Sequence, residues 1–208
     1  MQLFKFLVDG FTSPGSMVMW IILFLAFALI GIIIERVWYL FLRCGTASGS
    51  FMSGISNYLK AGDYEKAVKY SSSMQTPLAK GVTAVLKNRG QSTKKVQKAV
   101  DEVFLTETPK ITRNIQLINV MANLATLLGL TGTIFGLMMA FDAIANVPAA
   151  QRAQALATGI AVAMSTTLFG LLVAVPGILC QGLLSQKSDK VIEEMDEKTA
   201  KLVNLIEE

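Results

Sequence analysis

The chain has 208 residues, of which 52% are hydrophobic and only 16% charged, with mean hydropathy +0.50 and formal net charge +4. Soluble domains carry about 25% charged residues; here the apolar residues gather in three blocks with the charges between them, the pattern of a polytopic membrane protein. The lack of histidine, with two cysteines only (Cys44 and Cys180), excludes a structural zinc site and a Ser-His-Asp triad.

No nucleophile elbow, phosphate-binding loop or HExxH segment occurs either. The expectation is therefore a non-enzyme with no cofactor and no metal. Each cysteine lies near the end of an apolar block and reads as a small buried residue rather than as half of a redox pair. The net positive charge does not call for nucleic acid, because in a membrane protein the position of the charges matters more than their sum.

Residues 1–16 contain Leu3, Phe4, Phe6, Leu7 and Phe11, which suit a short amphipathic helix lying in the membrane interface. The first span is placed at 17–42. Its centre, Ile21 to Ile34, holds no charge, and Trp20 at one end and Trp38 with Tyr39 at the other mark the two interfaces. Eighteen helical residues at ~1.5 Å each cover about 27 Å, close to the hydrocarbon thickness. The apolar core is too long for a cleavable signal, and the basic residues follow rather than precede it.

Residues 43–114 form a polar segment that reads as helical, punctuated at Gly62, Pro77, Gly81 and Gly90. Asp63 opens one helix, Ser92 and Thr93 open another, and Pro109 is expected to kink or break the chain before the second span. Tyr64, Ala67 and Val68 give one apolar stripe; Val96, Ala99, Val100 and Val103 give a second. A small helical domain that packs on itself or on its neighbours accounts for both.

The second span is placed at 115–141 and the third at 156–184, joined by a short loop, 142–155, as an antiparallel hairpin. Both exceed the roughly 20 residues that cross a bilayer. The tail, 185–208, is an amphipathic helix with Ile192, Met195, Leu202, Leu205 and Ile206 near one face, expected to pack on copies of itself or on the polar segment. The fold class is thus all-α: three long transmembrane helices, a helical cytoplasmic segment and a C-terminal amphipathic helix. Arg43 to Arg113 holds twelve Lys/Arg against five Asp/Glu, whereas the hairpin loop holds only Arg152 and Asp142. Lys and Arg mark the cytoplasmic side, so the polar segment and the tail are expected inside, and the N-terminus and the hairpin loop outside.

Function is concentrated in the hairpin. In the second span Thr126, Gly129, Thr133, Gly136 and Ala140 recur at three- and four-residue steps, and Gly132 with Gly136 makes a GxxxG. In the third, Ala163, Thr167, Gly170 and Ala174 share a face, Ser165 and Thr166 lie beside it, and Pro176 is expected to weaken the helix and free a carbonyl. Two facing lines of small and hydroxylated residues suit a polar path, with Thr133, Thr167, Thr166, Ser165 and Thr126 lining it and Gly129, Gly132, Gly136, Gly170 and Pro176 setting the helix packing. The plainer alternative is that each hydroxyl bonds back to its own helix and merely permits packing. Neither span contains an ionisable residue in its apolar core. A proton relay normally needs one, so a partner would have to supply the carboxylate.

The segments LLGLTGTIFGLMMAF (127–141) and GIAVAMSTTLFGLLVAVPG (159–177) resemble the MotA/TolQ/ExbB proton-channel proteins, most closely the ExbB/TolQ branch. The resemblance implies a homopentamer around the spans of an ExbD/TolR-like partner whose Asp carries the proton, and possible contact with a TonB/TolA-like protein. It also implies residence in the bacterial inner membrane, and it maps the family's pore threonines onto Thr133 and Thr167. Ion flow would then drive work on the envelope: TonB-type transport, Tol-Pal maintenance, gliding or export. Val162 stands where branch members often carry Glu, and Thr126 where they often carry Pro, which leaves more of the relay to the partner. A non-conducting scaffold and a sodium-driven stator are the competing readings.

Overall fold

The computed structural model describes Phe11 and residues 16–44 and 48–207, and every element among these residues is helical. Seven α-helices follow in chain order: α1 (Ser16–Trp38), α2 (Ser48–Lys60), α3 (Tyr64–Ser73), α4 (Pro77–Lys87), α5 (Thr93–Thr112), α6 (Ile115–Asn146) and α7 (Arg152–Glu207). A π-helical turn, Tyr39–Arg43, extends α1, and a 3-10 turn, Ala149–Gln151, precedes α7. Three stretches, Met17–Arg43, Thr93–Asn146 and Ala149–Leu205, contain helix long and apolar enough to cross a membrane. The described residues divide into two compact units, one holding those up to Ile34 together with Gln116–Gly182, the other holding Glu35–Ile115 and Leu183 onward.

The first unit is built inside out. Its interior is made of small residues (Ala122, Ala125, Ala140, Ala163 and Ala174), with Met19, Ile22 and Leu29 of α1 and Ile118 of α6 filling the larger spaces. Large apolar side chains point outward instead: Phe24 and Phe27 on α1, Ile134 and Phe141 on α6, and Leu172 and Leu179 on α7. In water that surface would be untenable at this extent; in lipid it is the expected one, because tails solvate apolar side chains and helices associate through small residues. Of the N-terminal residues expected to lie in the interface, Leu3, Phe4, Phe6 and Leu7 fall outside the described residues. Phe11 stands edge-on to Trp20 and to Phe169, each at 5.3 Å between ring centroids.

The second unit has a conventional core. Phe51 and Ile55 of α2, Ala67 of α3, Leu78, Val82 and Val85 of α4, Val96 and Val100 of α5, and Met195, Leu202 and Val203 of α7 form one buried cluster. The two stripes read from the sequence meet in it through Ala67, Val96 and Val100. So does the tail, which packs on the polar segment. The buried face of the tail follows Ser188, Met195, Thr199 and Leu202, with Val203 on one flank. Leu205 falls on the other flank and is exposed, against expectation.

Local signals set the helix boundaries. Thr76 caps α4 by accepting the Ala79 N–H at 3.2 Å, with Pro77 in the first turn, where its missing N–H matters least. Asp63 and Ser92 precede α3 and α5 without a side-chain capping bond. Gly62 and Gly90 adopt φ of +74° and +80°, the left-handed turn that glycine tolerates.

Two expectations are corrected. Gly81 is not punctuation but lies within α4, where a methyl group would come to 2.8 Å from Cγ2 of Thr199. Pro109 sits inside α5, and the break comes later, at Asn114, whose φ is +59°. Asparagine accepts that conformation better than most residues, and its amide donates to Glu35 at 3.4 Å. Pro176 lies within α7, which continues as helix on both sides of it; its missing N–H takes one bond out of the helix ladder without ending the helix. The helices run further than the apolar blocks: α6 reaches Asn146 and α7 starts at Arg152, so helix extends into the 142–155 connection from both sides.

Burial pushes the Cys44 thiol above its ordinary range, with nearby Glu107 acting in the same direction, which fits an inert cysteine. Because the tail completes the core of the second unit, Leu202→Ala should destabilise it by about 2–5 kcal/mol. Thermal unfolding of the detergent-solubilised protein tests this; an unchanged midpoint would remove the tail from the core.

Candidate functional site

The hairpin of α6 and α7 is held by backbone contact. Gly170 makes the closest approach to a facing backbone: a methyl there would lie 2.6 Å from the Ala125 carbonyl oxygen and 3.1 Å from Cα of Gly129. At Gly129 it would meet Cα of Thr167 at 3.2 Å, and at Gly136 the backbone of Ala163 at 3.0 Å. At Gly132 it would strike the Thr166 side chain at 2.5 Å, and at Gly159 it would overlap Ala140. Gly177 continues the seam, against Ala122 at 3.1 Å and Leu29 of α1 at 2.9 Å. The small residues thus form two matching runs, Ala122, Ala125, Gly129, Gly132, Gly136 and Ala140 against Gly159, Ala163, Thr166, Gly170, Ala174 and Gly177.

Gly129, Gly132, Gly136 and Gly170 all lie in this seam, but Pro176 is exposed. Gly159, Gly177, Ala122 and Ala125 belong to it and were not singled out from the sequence. Their signal was present in the three- and four-residue spacing of small residues, which continues past the GxxxG in both directions.

The five candidate pore residues are not brought together on one face. Thr166 and Ser165 are each 1% exposed, inside the unit. Thr167 and Thr133 are half-buried, and Thr126 is exposed. Every one of the five hydroxyls donates to a backbone carbonyl. Thr166 bonds Ala163 at 2.8 Å, Ser165 bonds Val162 at 2.8 Å, Thr133 bonds Leu130 at 2.6 Å, and Thr126 bonds Ala122 at a long 3.5 Å. Those four bonds stay within one helix.

Thr167 differs. Its Oγ1 donates across the hairpin to the Gly129 carbonyl at 3.0 Å. Thr133 stands one helical turn beyond Gly129 on α6. The two residues mapped as pore threonines are therefore the two that combine partial exposure with a place beside the hairpin seam. With their protons engaged, what these oxygens offer a passing water or cation is acceptor lone pairs.

At the loop end of the hairpin a cavity of about 400 Å³ opens between α6 and α7. Its wall is mainly apolar, with Gln151, Gln154 and Thr158 as its polar members, and Val162 lines it. The position where the resembling proteins often carry a carboxylate thus faces open space.

Small-residue packing of two long apolar helices, with hydroxyls at the seam and no Asp, Glu, Lys, Arg or His between residues 115 and 141 or 156 and 184, gives a hairpin long and apolar enough to lie in a membrane. Residues 70–197 match the MotA/TolQ/ExbB proton channel family, and the chain belongs to that family, in its ExbB branch. Among its relatives, a Methanothermobacter thermautotrophicus protein named as an ExbB homolog is 27% identical over 78% of this chain and 56% of its own length. The biopolymer transport protein exbB1 of Vibrio cholerae is 31% identical over 66% of this chain and 60% of its own. The chain thus spans less than two thirds of the length of these relatives.

Glycine is required at 170 but not at 31, where a methyl group would meet nothing within 4 Å. Gly170→Ala should cost about 1–3 kcal/mol through overpacking, and Gly31→Ala should be near neutral. Comparing their unfolding midpoints in detergent checks the seam; equal midpoints would contradict it.

Proposed function

We propose that this chain is the wall-forming subunit of an ion-driven membrane motor of the ExbB/TolQ type. The observation that carries the reading is the pairing of a hydroxyl-bearing hairpin with the absence of Asp, Glu, Lys, Arg and His from its two spans. Such a wall can solvate a proton path with acceptor oxygens, but it cannot carry the proton. The carrier is an Asp on a single-span ExbD/TolR-like partner enclosed by a homo-oligomer, a pentamer by family analogy. Membership in a proton-channel family supports the same reading.

In this arrangement the protein resides in the cytoplasmic membrane, with its lysine- and arginine-rich segment 43–114 and its C-terminus inside and the hairpin loop outside. The exposed apolar side chains of α1, α6 and α7 face lipid or neighbouring copies. Thr133 and Thr167 line the path, and Thr126 lies nearest to them in exposure. Thr166 and Ser165, buried and bonded within α7, hold the packing instead. The energised process is work on the cell envelope, of the TonB-transport, Tol-Pal or export kind.

A non-conducting scaffold is the second reading, favoured by one observation: all five candidate hydroxyls already donate to the backbone. Proton flux into liposomes holding the protein with and without its partner separates the two, since a scaffold gives no flux in either case. Sodium coupling is separated by the same assay with sodium exchanged for potassium.

Thr133→Val and Thr167→Val should each reduce partner-dependent proton flux at least tenfold, a loss of about 1.4 kcal/mol or more, while leaving the oligomer intact by native mass measurement. Full flux in both variants would remove these residues from the path.

A further inference from the structure

Within the second unit, a cavity of about 270 Å³ is bounded by five cations, Arg36, Arg43, Lys80, Lys110 and Arg113, and by one carboxylate, Glu107. Glu107 is shared between Lys80 at 3.0 Å and Lys110 at 2.7 Å. Arg36 pairs with Glu35 alongside at 2.5 Å and donates through Nη1 to the Lys110 carbonyl at 3.1 Å. Arg43 reaches only the neutral Gln75, at 3.4 Å, and Arg113 forms no ion pair among the described residues. With two carboxylates set against five cations, three positive charges stay uncompensated.

One further detail points to a ligand. Arg36 is only 3% exposed, yet its Nε has no hydrogen-bond partner. Buried donors of this kind are normally satisfied, and a guanidinium presents its nitrogens as a fork that matches the oxygens of a phosphate. Arg36, Tyr39 and Arg43 close the stretch Met17–Arg43, the first candidate span, which is where the phosphates of lipid headgroups would lie.

We propose that this cavity is a binding site for a phosphate group, supplied either by an anionic lipid headgroup or by free phosphate. The assignment does not rest on ion conduction by the hairpin. Its role would be to balance charges that the fold brings together and to fix the end of α1 against α4 and α5.

The test uses the full chain, purified and delipidated in detergent. Native mass spectrometry follows the retention of short-chain phosphatidylglycerol, of phosphatidylcholine with the same chains, and of inorganic phosphate. The Arg43→Gln/Arg113→Gln double variant serves as comparison; both residues are exposed, and its fold is checked by circular dichroism and size exclusion. Phosphatidylglycerol is expected to bind roughly tenfold better than phosphatidylcholine and to lose about tenfold in the double variant. If the double variant does not fold, the single variants are read the same way at roughly threefold each. Retention of phosphatidylglycerol without competition from millimolar phosphate assigns the lipid as the source. Retention of phosphate alone assigns the free anion. Equal binding of the two lipids without retention of phosphate, or binding of phosphatidylglycerol and phosphate unchanged by the substitutions, overturns the proposal.

Discussion

Between α6 and α7 the helix backbones approach so closely that Gly170 has the Ala125 carbonyl where a side chain would begin. Much of the first unit depends on this contact. Helices gain nothing from the hydrophobic effect when they leave lipid for one another, so the hairpin must be held by van der Waals contact and by the few hydrogen bonds that close approach permits. The Thr167 hydroxyl can reach the Gly129 carbonyl on the opposite helix at 3.0 Å because no side chain intervenes at Gly129. The same closeness brings Leu29 of α1 against Gly177, so the first helix docks on a surface that the hairpin has already made.

The second unit follows the opposite logic. Its core is made of large apolar side chains, as in a protein folded in water, and its charges lie outside or in shared pairs such as Lys80, Glu107 and Lys110. A single helix, α7, contributes to both kinds of packing: alanine and glycine at 163, 170 and 174, then methionine and leucine at 195 and 202. The solvent that each stretch meets selects which residues serve as its interior.

Much of this was legible in the sequence. The three apolar blocks, the helical polar segment and the amphipathic tail follow from spacing alone, and the glycine-threonine pattern located the hairpin seam. Other features depend on tertiary context. Gly81 reads as a turn residue because nothing local reveals that Thr199, more than a hundred positions away, presses on it. Pro109 reads as a breaker because proline cannot donate to the helix ladder, yet the break is placed by Asn114, whose side chain finds Glu35. The hydroxyl line divides for a related reason. Helical spacing says which residues are near one another on a cylinder, but not which of them the neighbouring helix covers, and α6 covers Thr166 at Gly132 while Thr167 stays half open.

The glycine seam also has a mechanical meaning. Where helices meet through long side chains, each contact can relax by a change of rotamer, and a push on one helix is partly absorbed before it reaches the other. At Gly129, Gly136, Gly159 and Gly170 little of that slack exists, since the facing groups are backbone atoms and first side-chain carbons. The pair is accordingly stiff against compression and shear, more like one stave of a cask than two rods lying side by side. A load arriving on α6 is felt by α7 almost undiminished, and the hairpin moves as one body or not at all.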